Sequence, residues 1–172
     1  MTNVSCSAMA FAVALLSQTV PEKTAAPPHP PPQIDTLMKR WEGNWSCDNA
    51  NQGKVTVNMK KEMGGFWYVG EYVGTGTKAA PPIRSAVVFG YDTGAKAPIM
   101  LRYDNMGTVV LSMALGATPD KQVFVGEAHM LGGKTAKFRD TMVWKSANEM
   151  EHTFEMDLGK GYQALPIDVC KK

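Results

Sequence analysis

A histidine interrupts the apolar side of an alternating segment near the end of the sequence. Residues 148–158 read NEMEHTFEMDL, and this period of two predicts a strand with one buried face. The residues of its apolar parity are Met150, His152, Phe154, Met156 and Leu158. A buried imidazole needs a hydrogen-bond partner, and a carboxylate is a good one. An acidic residue on the same side of the sheet is therefore a suitable partner for His152.

The preceding segment, residues 134–145, supplies such a carboxylate at Asp140. The residues that share its parity are Ala136, Phe138, Met142 and Trp144. Adjacent strands would bring Asp140 close to His152. Three interpretations stay open: a structural pair in the core, a polar anchor in an apolar ligand cavity, or an acid–base pair of an isomerase or hydrolase. The candidate ligand-binding residues are His152, Asp140, Met150, Phe154, Met156, Phe138, Met142, Trp144 and Tyr68.

Some side chains are harder to assign to a face. In the segment IMLRYDN, Arg102 and Asp104 share one parity, opposite apolar residues, and we interpret Arg102 as part of a solvated outer face. Methionines fall on several predicted interior faces, where flexible thioether chains suit an adaptable pocket or plain core filling. These methionines are Met59, Met113, Met142, Met150 and Met156.

Composition excludes several classes of function. The chain has 172 residues and a net charge of +2 without a basic run, so we expect no nucleic-acid partner. No apolar run reaches the roughly 18 residues of a membrane span. The sequence contains no P-loop, no G-x-G-x-x-G, no G-x-S-x-G and no C-x-x-C, and its three histidines do not make a zinc site. We therefore expect no metal.

The first residues indicate export. The apolar stretch SAMAFAVALL is typical of the central region of a signal peptide, which predicts a signal peptide over residues 1–20 and a periplasmic or secreted protein. A proline-rich linker follows over 21–33, and the folded domain covers 34–172. Cleavage would remove Cys6 and leave Cys47 and Cys170, which an oxidising compartment allows to form a disulfide.

The elements that position these residues are predicted to be strands. Alternation and regularly spaced turn residues predict strands over 40–48, 54–63, 66–74, 83–92, 97–105, 108–115, 121–130, 134–145, 148–158 and 162–170. Only residues 33–41 indicate a helix, which would plug one end. Short turns describe an all-β meander, and closure into an antiparallel up-and-down barrel of about ten strands removes its edges. Closure places Cys47 beside Cys170, so the two predictions support each other.

Three segments carry a resemblance to a known class of barrels. They are LMKRWEGNWSC with its W-x-G-x-W, then MGGFWYVGEYVG, then VVFGYDTGAKAPIMLRYDNMG. Together they resemble lipocalin-like barrels, the calycins, and within them an uncharacterised bacterial family, a domain of unknown function. The resemblance implies a calycin-type barrel that is often exported and has no established reaction. Haem-binding relatives of such barrels use a late histidine, and His152 is late. Their glycine-rich N-terminal motif is missing here, so we expect no cofactor and keep haem as the alternative.

These observations lead to one main functional hypothesis and two alternatives. We expect an exported, lipocalin-like barrel that binds a small apolar or amphipathic molecule in its lumen and is not an enzyme. The alternatives are an enzyme that uses His152 and Asp140 and a structural or interaction module with a filled barrel. Lumen volume separates them, because a volume below about 300 Å³ would argue against a drug-sized ligand.

Overall fold

The computed structural model describes residues 29–172, without the side chains of residues 33 and 34. One α-helix, α1, covers Pro32–Lys39 and begins with proline, whose fixed φ and missing amide suit the first helical position. Eleven strands follow: β1 Gly43–Asn49, β2 Gly53–Glu62, β3 Trp67–Gly74, β4 Ile83–Asp92, β5 Ala97–Asp104, β6 Val109–Thr118, β7 Lys121–Met130, β8 Lys134–Ser146, β9 Glu149–Asp157, β10 Gln163–Ala164 and β11 Asp168–Lys171.

Ten of these strands form one closed antiparallel barrel. Strands β1 to β9 pair in chain order, β9 also pairs with β11, and β11 returns to β1. The predicted all-β closed barrel is confirmed. The short β10 is an additional strand that pairs with β9 beside β11.

The last predicted strand, 162–170, is interrupted. Its two halves, β10 and β11, pair with the same strand β9, but the register shifts by one residue between them. Pro166 lies in the gap and has no amide to donate to β9, so the ladder breaks there.

A disulfide joins the first and last strands of the barrel. Cys47 of β1 and Cys170 of β11 face each other directly in the sheet register and form a disulfide that spans 123 residues of sequence. Both cysteines are buried, so the bridge lies on the inner side of the seam. The predicted bridge between the first and last strands is present.

The helix packs over one end of the barrel, as predicted. Trp41, just after α1, stacks on Phe89 with ring centroids 4.3 Å apart. Its indole Nε1 donates to Gln122 at 3.0 Å, and the Gln122 amide donates to the Leu37 carbonyl at 3.3 Å. These contacts satisfy a buried indole and a buried amide while fixing the helix to β4 and β7.

All five predicted inward residues of β8 are buried, but two predictions in other segments are wrong. Leu158 was placed inside, yet it is 70% exposed because β9 ends at Asp157 and Leu158 begins the turn. Met113 was also placed inside, yet it is 43% exposed. In β6 the inward parity belongs to Val110 and Ser112, so the apolar parity of this strand faces out.

The predicted signal peptide, 1–20, and residues 21–28 of the predicted linker lie outside the described residues. The end of that linker is not extended, because α1 already begins at Pro32. Within the described range, none of the helical segments has the length and apolarity needed to cross a membrane.

Candidate functional site

His152 lies between two strands at the seam of the barrel. In the sheet register it stands beside Met142 of β8 on one side and Asp168 of β11 on the other. Its side chain is 15% exposed, and it points inward with Met150. The alternation that predicts an inward histidine is therefore realised in the fold.

Two carboxylates hold the imidazole from opposite sides. The Nε2 atom is hydrogen-bonded to Oδ1 of Asp140, and Nδ1 lies 3.1 Å from Oδ2 of Asp168. The remaining oxygen of Asp168 accepts a hydrogen bond of 2.7 Å from the Asn49 amide. Each carboxylate side chain is only 5% exposed, so the cluster is a buried network rather than a surface ion pair.

The two carboxylates keep His152 protonated. Burial has the largest single influence on the pKa of the ring and lowers it. The charge of Asp140 and the hydrogen bonds to Asp140 and Asp168 act in the other direction and raise the pKa to about 10. The ring is thus an imidazolium at neutral pH that donates from both nitrogens. Neither nitrogen has a lone pair available for a metal or for proton abstraction.

Arg102 also faces the lumen, which corrects its assignment to a solvated outer face. Its guanidinium carbon lies 5.3 Å from the Tyr72 ring centroid and 5.8 Å from that of Phe154. Met100, on the same parity of β5, is only 2% exposed. The assignment was wrong because β5 is apolar on its opposite parity, and in this strand that opposite parity is the outer one.

The guanidinium of Arg102 is incompletely paired. Its Nε is buried and has no hydrogen-bond partner among residues 29–172. Aromatic faces offer cation–π attraction but no acceptor for this N–H. With Asp140 and Asp168 negative and Arg102 and His152 positive, the cluster has no net charge.

Tyr72 closes the cluster toward the barrel mouth. Its hydroxyl is hydrogen-bonded to Oε1 of Gln52, in the turn before β2. Burial raises the pKa of Tyr72 to about 12; nearby Arg102 opposes this shift, and Asp168 and Asp140 add to it. The phenol therefore stays neutral and acts as a hydrogen-bond donor.

Two small cavities adjoin at this cluster. Each has a volume of about 50 Å³, and both are lined by Tyr72, Arg102, His152 and Asp168. The inner cavity continues among apolar side chains that include Met100, Met142 and Met150. The outer one opens at the mouth beside Gln52, Phe154 and Pro166. Such volumes hold a few waters or a molecule of a few heavy atoms, well below a drug-sized pocket.

The predicted ligand-binding residues divide into two groups. Five of them line the cavities: His152, Asp140, Met142, Met150 and Phe154. The other four lie elsewhere: Phe138 and Met156 in the packing beside Phe154, Trp144 edge-on to Trp41, and Tyr68 at the helix-covered end. The Tyr68 hydroxyl donates to Asp35 of α1 at 3.3 Å, which ties the helix to β3.

Sequence reasoning missed Asp168. A signal for it existed, because Asp168 is two residues before Cys170 and so shares its face in a strand. If Cys170 points inward to bridge Cys47, Asp168 must point inward too. The same reasoning does not assign a face to Arg102, because its strand contains no cysteine whose direction is known.

Among residues 29–172, no group of three or more histidine, cysteine, aspartate or glutamate side chains is placed to hold a metal ion. No curated protein matches the chain. A family model does match: the family described as "Protein of unknown function (DUF1579)" covers residues 31–169, from the start of α1 into β11. The chain, with its disulfide-closed barrel and internal His152 cluster, therefore belongs to the DUF1579 family.

Proposed function

We propose that this protein binds a small amphipathic molecule with an anionic group, which enters the barrel at the mouth beside Arg102. The observation that carries the proposal is the buried Nε of Arg102, which has no partner among the described residues and belongs to a side chain that lines both cavities. A buried donor left unsatisfied costs about 1–3 kcal/mol. A ligand oxygen at this position would accept that hydrogen bond and offset the cost.

Charge favours an anion on the arginine rather than on the histidine. Both N–H groups of His152 are already occupied by Asp140 and Asp168. Arg102 makes no ion pair within residues 29–172 and has free donors, and guanidinium matches carboxylate geometry well. The anionic group of a ligand would therefore meet Arg102 first.

The apolar side chains around the inner cavity suit the rest of such a ligand. Met100, Met142 and Met150 line it, and their unbranched chains can change rotamer to enlarge the space. The starting volume of about 50 Å³ limits the apolar part to a short chain or a small ring.

The resemblance to lipocalin-like barrels supports this proposal, since barrels of this size can hold one small ligand. The disulfide supports a site of action outside the cytoplasm, in the periplasm or after secretion, because such bridges persist in oxidising compartments. Haem fits poorly, because both ring nitrogens of His152 are engaged and the cavity is far smaller than a haem.

A second candidate function is an interaction module whose barrel is simply filled. The small size of the cavities favours it. An enzyme that uses His152 as a general base has no comparable support. A base working near neutral pH needs a pKa near that pH, and the two carboxylates raise the pKa of His152 to about 10.

Calorimetric titration with straight-chain monocarboxylates from acetate to octanoate, and with the matching alcohols, tests the proposal. We expect carboxylates to bind at least about ten-fold more tightly than the alcohols, a difference of about 1.4 kcal/mol. Arg102→Met should abolish this difference. Arg84→Met is the matched control, since Arg84 is 72% exposed and paired with Glu71 on the outside of β4.

Equal binding of acid and alcohol by the unmodified protein would overturn the anion site, as would unchanged selectivity in Arg102→Met. Failure of the whole series to bind would favour the filled module. Near-ultraviolet circular dichroism of each variant confirms that the barrel is folded.

A further inference from the structure

The outer face of β6 is apolar, the reverse of the usual pattern for a strand with one face in water. Antiparallel strands normally turn apolar residues inward and polar residues outward. In β6 the exposed parity is Val109, Leu111, Met113 and Leu115, while the buried parity includes Ser112. Ordinary solvation of an outer face does not account for this strand.

The apolar residues continue onto both neighbouring strands. Residues paired in register point to the same face of a sheet. Met113 stands between Ile99 of β5 and Val125 of β7, and Leu111 stands beside Leu101. Val109 stands beside Tyr103. We call this surface the β6 patch; its members are Ile99, Leu101, Tyr103, Val109, Leu111, Met113, Leu115 and Val125.

The centre of the β6 patch is Met113, whose partners in register, Ile99 and Val125, are uncharged. The charged margin begins beside Leu111, where Glu127 of β7 pairs in register and forms a 3.8 Å contact with His129. Above the patch lies a groove of about 480 Å³ that reaches this margin. An apolar centre with a polar margin is the layout of a protein interface.

The exposed apolar area of the β6 patch is large enough to form the centre of an interface. Exposed fractions are 51% for Tyr103, 42% for Val109, 57% for Leu111, 43% for Met113 and 73% for Leu115. These five side chains leave on the order of 500 Å² of surface in water, at the upper end of the patches that monomers expose. A standard complex buries roughly 800 Å² on each partner, so a dimer contact centred on this patch must also include the flanking residues and the charged margin.

We infer that the β6 patch is the interface of a homodimer, in which two copies of this chain pack face to face through β6. A second copy fits because the uncharged centre meets its own image without any like-charge contact. A strongly charged partner would find no complementary charge there. Among residues 29–172, each of the ten barrel strands pairs with a neighbour on both sides, so two copies would meet through side chains rather than by extending the barrel sheet.

Sedimentation velocity of the full chain tests this inference. We expect the unmodified protein to sediment at twice the chain mass of 18.7 kDa. Leu111→Lys should yield the monomer mass, because it places a charge within the exposed apolar row of β6. Ile167→Lys should remain dimeric; Ile167 is equally exposed, at 57%, but lies in the loop between β10 and β11.

A monomeric unmodified protein at micromolar concentration would overturn the inference, and so would a Leu111→Lys protein that stays dimeric. A second substitution, Met113→Glu, guards against misfolding of the first, and it should also give a folded monomer. Because the lumen opens elsewhere, this result is independent of ligand binding at Arg102.

Discussion

At the residue scale, the central feature is one ring that separates two buried acids. Asp140 and Asp168 bind opposite nitrogens of His152, so one protonated ring supplies the hydrogen bond and the positive charge that each acid needs. Without that positive charge, two carboxylates would face each other at 5% exposure each, where like charges repel strongly. The ring therefore acts as a bridge across β8, β9 and β11.

We predict that His152→Leu lowers the free energy of unfolding by about 3–5 kcal/mol at neutral pH, because it leaves buried charges without a partner. Since the pKa of His152 rises on folding, its stabilisation is full below pH about 6.5 and is lost as pH rises toward about 10. Urea unfolding across this range should show a decline of up to about 1.4 kcal/mol per pH unit in the unmodified protein.

The His152→Leu variant should lack this decline in the free energy of unfolding with pH. His129→Leu is the control, since the His129 side chain is 61% exposed and should change little. A flat stability profile of the unmodified protein between these pH values would contradict the protonated bridge. So would equal losses in the two variants.

At the element scale, which face of a strand points inward depends on the neighbouring strands as well as on the alternation of its residues. β8 and the first half of β9 have one clearly apolar parity, and that parity is inside. In β5 and β6 both parities contain apolar residues, so the sheet orients them through neighbouring strands. Ser112 and Arg102 consequently face in, while Leu111 and Met113 face out.

Close contact between strands also depends on a missing side chain at Gly90. The indole of Trp67 in β3 lies against Gly90 in β4, where a Cβ would stand 2.1 Å from the indole Cε3. We predict that Gly90→Ala lowers stability by about 1–3 kcal/mol, because the indole must move. Equilibrium unfolding monitored by tryptophan fluorescence measures this loss.

Gly116→Ala provides the comparison, because a Cβ there meets no atom within 4 Å and its backbone φ is not positive. We expect it to change stability by less than about 0.5 kcal/mol. Similar effects of the two substitutions would show that the contact with Trp67 is not the cause.

At the scale of the whole molecule, stability depends on closing a chain whose ends are far apart in sequence. The seam joins β1 to β11, and the barrel cannot enclose its core until these strands meet. The disulfide reduces the entropy of the unfolded chain by closing a loop of 123 residues. It stabilises the contact between β1 and β11, which closes the barrel.

We predict that the double substitution Cys47→Ser with Cys170→Ser lowers the free energy of unfolding by on the order of 4–5 kcal/mol in oxidising buffer. With a reductant present, the unmodified protein and the variant should unfold at similar denaturant concentrations. Chemical denaturation with and without reductant measures both effects. A loss that persists unchanged under reduction would instead reflect packing of the two side chains.

The architecture and half of the site follow from the sequence alone. Alternation and turn spacing located the ten strands of the barrel, and cysteine positions identified its seam. The regular apolar parities of β8 and β9 were enough to face Asp140 and His152 inward together. These predictions succeeded because each depends on local periodicity or on two residues whose pairing closes the fold.

The rest of the site depends on how the strands pack together in three dimensions. This packing turned Arg102 inward, brought Asp168 onto the free side of His152, split the last strand at Pro166, and left only about 50 Å³ in each cavity. The orientation of a strand that is apolar on both sides depends on its neighbours, and a cavity volume depends on how side chains from many strands pack together. Neither quantity is a property of any single segment, so no local pattern encodes it.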